Sequence, residues 1–203
     1  MRATEGDRIS IHPAQGLFAA PTRCRSTLLC SGLAELRARG HFENYAAALE
    51  PAARDDILAM IAGVWMPMRI AMAHFQAVET LGLSDEEAFD IGGSSGRRIH
   101  ATLLHTLIRL ATSAGASPWT VFQNYGRMWA RIFDGGRIVI TRIAPKDALM
   151  EISCFPPARF HYYRNAFRGA NHSGLALFAR SVFVRELPSR RSHDEFALRV
   201  SWA

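Results

Sequence analysis

Apolar residues recur at intervals of three and four through the first two-thirds of the chain, a spacing that predicts α-helices. Over residues 31–49 this pattern breaks at Gly40, so we expect two short helices joined at that glycine. Pro51 is expected to begin the next helix. From Ile57 to Val78 an apolar stripe then continues along one helix face, with a kink or restart at Pro67.

This apolar stripe is rich in methionine, which fills irregular gaps in protein cores. Core packing is therefore the simplest interpretation. The alternative is that the stripe lines an apolar ligand pocket, in which case Met68, Met72 and Phe75 are candidate ligand-binding residues. The uninterrupted apolar run from Ile57 ends at Met68 after twelve residues, so we predict no membrane span.

Two serines carry helix-start signals in the middle of the chain. Ser84 and Glu87 have the spacing of a capping box, and Ser117 precedes Pro118 as an N-cap precedes a first-turn proline. Between them, three glycines at positions 92, 93 and 96 are expected to interrupt the helix. A further helix is then predicted over residues 97–114, with a stop at Gly115.

The last third of the chain changes to the alternation typical of strands. Arg137–Ile143 and Ala148–Cys154 alternate around a turn and predict a β-hairpin. A helix from about Ala158 to Ala170 follows, and then strands at Ser181–Leu187 and Glu195–Trp202. The predicted fold class is α+β, with a helical N-terminal part and an antiparallel β-β-α-β-β C-terminal part. We expect a flexible tail over residues 1–22 and a single domain over 23–203, helical over 31–133 and sheet-forming over 137–202.

Charge is distributed unevenly along the 203 residues. Residues 42–90 carry nine acidic and two basic side chains, a net charge of −7, whereas residues 91–203 carry sixteen basic and six acidic ones, a net charge of +10. Such an asymmetry bears on partners and solubility, not on chemistry. It leaves open an acidic protein partner or a homodimer in which the two regions of opposite charge complement each other between copies.

The predicted helix after Ala158 places four basic side chains on one side, namely His161, Arg164, Arg168 and His172. Solvent, an acidic partner or an anionic ligand could relieve their mutual repulsion, so His161, Arg164 and Arg168 are candidate ligand-binding residues. The aromatic stripe of this helix falls on the opposite face. Base stacking and phosphate contact would not coincide there, which disfavours a nucleic-acid surface.

Residues 92–96 formally match G-x-S-x-G, the turn that exposes the catalytic serine of hydrolases. The preceding residues have helical character, so this context disfavours catalysis, and we predict no catalytic residue. The same segment could bind an anion through Ser94, Ser95 and Arg97 at the start of a helix. Salt bridges from Arg97 and Arg98 to the acidic stretch are the competing explanation.

Histidine and cysteine spacings supply no metal or redox signature. His100 and His105 lie off one another's helical face, His74 stands alone on an apolar helix, and no HExxH is present, so we predict no metal site and no cofactor. The three cysteines form no CxxC pair, and their odd number argues against a disulfide framework. No secretory signal is visible at the N-terminus, so we expect a cytoplasmic protein.

Several short motifs along the chain carry a family resemblance. They are Trp65-Met66-Pro67-Met68 with His74, Gly92 and Gly96 before an arginine, Pro118-Trp119-Thr120, Trp129 with Gly135-Gly136, and Tyr163-Arg164-Asn165-Ala166-Phe167-Arg168-Gly169. Over residues 25–203 the chain resembles an uncharacterised bacterial family of single-domain proteins. That family's helices-then-sheet plan is similar to the small-molecule-binding domains of the four-vinyl-reductase and haem-nitric-oxide-binding group. The Tyr-x-Ser-x-Arg motif of the haem-binding members does not occur in this chain, so the resemblance implies a fold and a class but no site.

These observations predict a non-catalytic sensor or interaction domain. We expect it to bind a small apolar or amphipathic molecule with an anionic group, in a cavity between the methionine-rich helix and the sheet. The two alternatives are a hydrolase that uses the segment around Ser94 and a basic nucleic-acid-binding protein.

Overall fold

The computed structural model describes residues 8–11, 19–111 and 117–203, with the side chains of residues 19–98 and 117–203. Most of the helical residues precede residue 137, where the predicted sheet part begins, as predicted. The helices of the described part are α1 (Ser26–Ala38), α2 (Phe42–Ala48), α3 (Pro51–Leu58), α4 (Met68–Glu79), α5 (Asp85–Ala111), α6 (Pro118–Ala130) and α7 (His161–Leu175). None of these helices combines the length and apolar content that a membrane span requires.

The strands of the described part form two antiparallel sheets. Their bounds are β1 (Arg8–Ile11), β2 (Arg23–Arg25), β3 (Trp65–Pro67), β4 (Arg137–Ala144), β5 (Asp147–Ser153), β6 (Val182–Glu186) and β7 (Phe196–Trp202). The larger sheet has the order β1-β4-β5-β7-β6, and β2 pairs with β3 in the smaller one. The predicted α+β class and the predicted β-β-α-β-β order of the last third are confirmed.

The main sheet buries one face against the helices because its apolar residues alternate along each strand. Ile138 and Ile140 of β4, Met150 of β5 and Leu198 and Val200 of β7 are completely buried on this face. Aromatic rings of α6 and α7 continue the core beyond the sheet. The core therefore lies between the sheet and the helical layer formed around α7.

The predicted single stripe from Ile57 to Val78 is divided between three elements. Helix α3 ends at Leu58, β3 follows a loop, and α4 restarts after Pro67, so only the predicted restart is confirmed. Ser26, the first residue of α1, holds the loop between α3 and β3 in place. Its hydroxyl donates to the carbonyl oxygen of Ile61 at 2.7 Å and accepts from the Val64 N–H at 3.0 Å. As a result Ile61 is 69% exposed and Val64 is 41% exposed.

The glycines at positions 92, 93 and 96 do not interrupt a helix. Helix α5 runs through them without a break to Ala111, so the prediction of two helices was wrong. The glycines allow backbone contact with α7. A Cβ on Gly92 would lie 1.9 Å from the carbonyl oxygen of Ala166, and one on Gly169 would lie 1.8 Å from that of Phe89. The predicted stop at Gly115 lies outside the described residues.

Local helix signals and the hairpin were predicted correctly. The Ser84 hydroxyl accepts from the Glu87 N–H at 3.2 Å, and the Glu87 carboxylate accepts from the Ser84 N–H at 3.0 Å, so the capping box is formed. Helix α6 begins at Pro118, as expected. The segment expected to be a tail contributes strand β1, which pairs with β4. Helix α7 begins three residues later than predicted, after a short 3₁₀ turn at Pro156–Arg159.

Candidate ligand cavities

A cavity of about 90 Å³ lies among helices α1, α5, α6 and α7. Its walls are predominantly aliphatic and aromatic, and they include Leu28, Val121, Met128, Ile132, Phe167 and Leu175. Helices border it on four sides, and it is partly open. The space is therefore suited to an apolar group.

Three polar side chains in the walls of this larger cavity, Tyr125, Trp129 and Asn171, bond to protein partners. The Tyr125 hydroxyl donates to the Asn171 side-chain oxygen at 2.9 Å, and the Asn171 amide nitrogen donates to the Phe167 carbonyl oxygen at 2.8 Å. The Trp129 indole N–H donates to the Gly135 carbonyl oxygen at 2.8 Å. Because these groups are satisfied, they do not call for a polar ligand atom.

A second cavity, of about 60 Å³, adjoins the first. The residues that line both cavities are Leu28, Gly96, Tyr163, Phe167 and Ala170. The smaller cavity differs in its polar walls, which include His74 of α4, Ser95 of α5 and Tyr162 of α7. Ser95 is 6% exposed, and its hydroxyl oxygen is buried without a hydrogen-bond partner. The smaller cavity therefore adds a few polar side chains to walls that are otherwise apolar.

His74 is held in place by a second buried side chain. Its Nδ1 lies 2.7 Å from the Tyr45 hydroxyl oxygen, and the two rings meet edge to face. Its Nε2 approaches α1, where it lies 3.5 Å from the position that a Cβ on Gly32 would take. Complete burial lowers the pKa of His74 to about 3, so the imidazole is neutral at physiological pH.

The buried His74 should make the protein less stable in mild acid. The unfolded chain, with a histidine pKa of 6.5, binds a proton that the folded protein excludes until about pH 3. This contribution to stability is present above pH 6.5 and is lost as the pH falls toward 3. Between pH 7 and 5.5 we expect a loss of about 1 kcal/mol. Urea unfolding at both pH values should show a smaller loss of stability for His74→Asn than for the unmodified protein, because asparagine can keep the bond to Tyr45 and does not titrate. Equal losses of stability in the two proteins would contradict a buried, neutral His74.

The predicted basic residues of α7 make contacts within the protein. Arg164 is buried, donates to the Glu186 carboxylate at 3.1 Å and donates to the Ala158 carbonyl oxygen at 2.7 Å. Arg168 donates to the side-chain oxygen of Asn165 at 2.5 Å and to the carbonyl oxygen of Val184 at 3.3 Å. None of these contacts involves the lining of the two cavities.

The N-terminus of α7 is where the acidic and basic regions of the chain meet. The Glu79 carboxylate accepts from the N–H groups of His161 at 3.0 Å and Tyr162 at 2.8 Å. The His161 side chain pairs with Asp85 at 2.5 Å. Both carboxylates complement the helix dipole. Part of the charge asymmetry is therefore balanced within one chain.

The predicted anion site at residues 94–98 does not have the expected geometry. Arg97 and Arg98 lie inside α5 and not at a helix start, so the helix-terminus argument was wrong. Arg97 donates to the Ser94 hydroxyl at 2.9 Å, and Arg98 pairs with Glu35 at 2.8 Å. Because Ser94 lies within a helix, the strand-to-helix turn of a hydrolase is also missing from this segment.

The predicted ligand-binding residues are distributed unequally around the cavities. Phe75 and Ser95 line the smaller one, whereas Met68 and Met72 line neither cavity. In the sequence His74 stands alone on an apolar helix and belongs to one of the family motifs, and neither feature marks it as a cavity residue. Its partner Tyr45 is separated from it by 29 positions, so no local pattern signals the pair. Within the described residues no group of three or more His, Cys, Asp or Glu side chains could hold a metal ion.

The order of helices and strands is that of an α+β domain, and solved structures of H-NOX proteins have a similar fold. An H-NOX protein mutant from K. algicida matches with a TM-score of 0.66 and 9% identity, over 88% of this chain and 96% of that chain. An H-NOX protein from S. oneidensis matches with a TM-score of 0.59 and 9% identity, over 88% and 96%. No protein-family model and no curated protein matches the chain. The predicted similarity to the haem-nitric-oxide-binding group is thus confirmed at the level of the fold.

A third similar structure is that of a protein that modulates heme redox potential through porphyrin distortion. It matches with a TM-score of 0.54 and 13% identity, over 87% of this chain and 94% of that chain. At these identities the comparisons establish a common architecture. The predicted resemblance to an uncharacterised bacterial family stays a prediction.

Proposed function

We propose that this protein is a non-catalytic small-molecule-binding domain whose ligand is small and largely apolar. The observation that carries the proposal is the pair of adjoining cavities among α1, α4, α5, α6 and α7. A packed interior of this size seldom leaves voids larger than a water molecule, and apolar cavities bind apolar guests. The H-NOX fold supports the proposal by analogy only.

The two volumes limit the ligand to a few heavy atoms. Volumes of about 90 and 60 Å³ together approach the ~150 Å³ cavity that accepts benzene or xenon in another protein. The anionic group predicted from the sequence is not part of this proposal, because Arg164 and Arg168 bond to protein groups outside the cavities.

A haem does not fit the described cavities. Pockets for drug-sized ligands reach at least ~300 Å³, far more than the volume of either cavity. The backbone contact between Gly92 and Ala166 prevents α5 and α7 from separating without loss of packing. The larger cleft of about 510 Å³ lies on the outer face of the sheet, is open, and includes Arg190, Arg191 and Ser192 in its lining. We therefore derive no function from a haem.

Thermal denaturation with small aromatic probes tests the proposal. We expect 1 mM toluene to raise the Tm by about 3 °C, as a ligand with a Kd of about 100 μM would do for a chain of this length. Leu28 lines both cavities, so Leu28→Trp should fill them and abolish the shift. Leu58→Trp is the matched control, because Leu58 is 40% exposed and lines neither cavity.

Three results would argue against the proposal. The first is that toluene, benzene and indole all leave the Tm unchanged. The others are that the Tm shift persists in Leu28→Trp, or that it also disappears in Leu58→Trp. Hemin serves as a size control in the same series, and a stoichiometric complex with a haem absorption band would contradict the size limit. An acidic protein partner, a homodimer and a cytoplasmic location remain predictions from the sequence.

A further inference from the structure

The Ser95 hydroxyl in the smaller cavity has an unusual environment. It is buried and has no hydrogen-bond partner, although a serine inside a helix commonly bonds back to the carbonyl oxygen four residues earlier. Leaving a hydroxyl buried and unsatisfied costs ~1–3 kcal/mol. Ser95 lies on the same part of α5 as Gly92 and Gly96, and all three line the smaller cavity. Ser95 therefore belongs to the wall that a molecule in this space would contact.

The His74 imidazole supplies a second group at the same cavity. Its Nδ1 is engaged by the Tyr45 hydroxyl, whereas its Nε2 has no hydrogen-bond partner among the described residues. A neutral imidazole presents either an N–H or a lone pair at Nε2, depending on the tautomer that the Tyr45 bond selects. A ligand hydroxyl can satisfy either form because it both donates and accepts.

The charge of the cavity walls further restricts the ligand. No Asp, Glu, Lys or Arg side chain lines the smaller cavity in the described part of the chain. A carboxylate or ammonium there would be buried without a counter-charge, which is far more costly than a neutral hydroxyl. The polar group of the ligand should therefore be uncharged.

We infer that the ligand is a small aromatic or alicyclic molecule with one neutral hydroxyl, which Ser95 and His74 bind in the smaller cavity while the apolar body fills the larger one. This inference rests on the proposed function and adds a chemical class to it. The shared lining of the two cavities allows one molecule to occupy both.

Toluene and phenol provide a matched pair of probes, because they have similar shapes and differ by a methyl and a hydroxyl group. Isothermal titration of the full chain should show both binding. In Ser95→Ala we expect the Kd for phenol to rise about fivefold, the effect of one lost hydrogen bond, while the Kd for toluene stays within about twofold. Ser94→Ala is the matched control, because the Ser94 hydroxyl bonds to Arg97 and does not line either cavity.

The outcomes separate this inference from the proposed function. If both probes bind and Ser95→Ala changes neither affinity or both equally, the hydroxyl subsite is wrong and the binding domain stands. If neither probe binds the unmodified chain, both proposals fail. A second measurement is the Tm of ligand-free Ser95→Ala, which should equal or exceed that of the unmodified chain because an unsatisfied group is removed. A clear decrease would mean that the Ser95 hydroxyl has a partner within the protein, and would overturn the inference.

Discussion

Replacing Gly169 by alanine will lower the free energy of unfolding by about 3 kcal/mol or more. The new Cβ would lie 1.8 Å from the carbonyl oxygen of Phe89 and 2.8 Å from the Gly93 nitrogen, and both are backbone atoms of α5. Neither can rotate away, so the two helices must separate. The better helix propensity of alanine, worth about 1 kcal/mol, does not offset this cost. Urea unfolding followed by circular dichroism measures the change.

Gly93→Ala is the control for this prediction, because the two glycines face each other across the same helix contact. Its Cβ would meet the nearest atom, the Gly169 carbonyl oxygen, at 3.6 Å, which is an ordinary contact. We expect Gly93→Ala to be neutral or slightly stabilising. If Gly169→Ala and Gly93→Ala unfold at the same urea concentration, α5 and α7 do not pack through their backbones as described.

Arg164→Met will destabilise the fold by about 3 kcal/mol, because it leaves the largely buried Glu186 carboxylate without its closest positive partner. The side chains of Arg164 and Glu186 are 5% and 13% exposed, and their atoms approach to 3.1 Å. The carbonyl oxygen of Ala158 also loses a donor at 2.7 Å. Arg191 lies 3.8 Å from Glu186 and compensates only in part. Chemical unfolding at neutral pH measures the loss.

An exposed ion pair of the same type is the matched control. Arg190 and Glu151 approach to 2.7 Å, but their side chains are 52% and 40% exposed. Solvent screens such a pair, so Arg190→Met should change stability by less than about 1 kcal/mol. The double variant Arg164→Met with Glu186→Met should be more stable than Arg164→Met alone, since it removes both charges of the pair. Equal effects of Arg164→Met and Arg190→Met would rule out a structural role for the buried pair.

Sequence reasoning succeeded where the structure depends on neighbouring residues. The capping box at Ser84, the start of α6 at Pro118 and the β4–β5 hairpin all follow from groups a few positions apart. The alternation in the hairpin is clear because the buried face of the sheet requires an apolar residue at every second position. These local signals were sufficient for the fold class.

Prediction failed where a distant segment determined the local structure. Glycine lowers helix propensity, so the cluster at residues 92–96 indicated a break, but α7 packs against it and holds the helix together. The stripe after Ile57 kept a helical period by coincidence, and the hydroxyl of Ser26 fixes the real loop at Ile61. Ser95 was a candidate for an anion site, whereas its buried position depends on helices from distant parts of the chain that surround α5.

The backbone contact between α5 and α7 also supplies a criterion for sorting chains of this architecture. A chain with glycine at the positions of Gly92 and Gly169 can bring the two helices together and close the interior between them. A chain with a side chain at either position must hold the helices apart by at least the width of a methyl group. The residues at these two positions therefore set how closely the two helices of such a chain can approach each other.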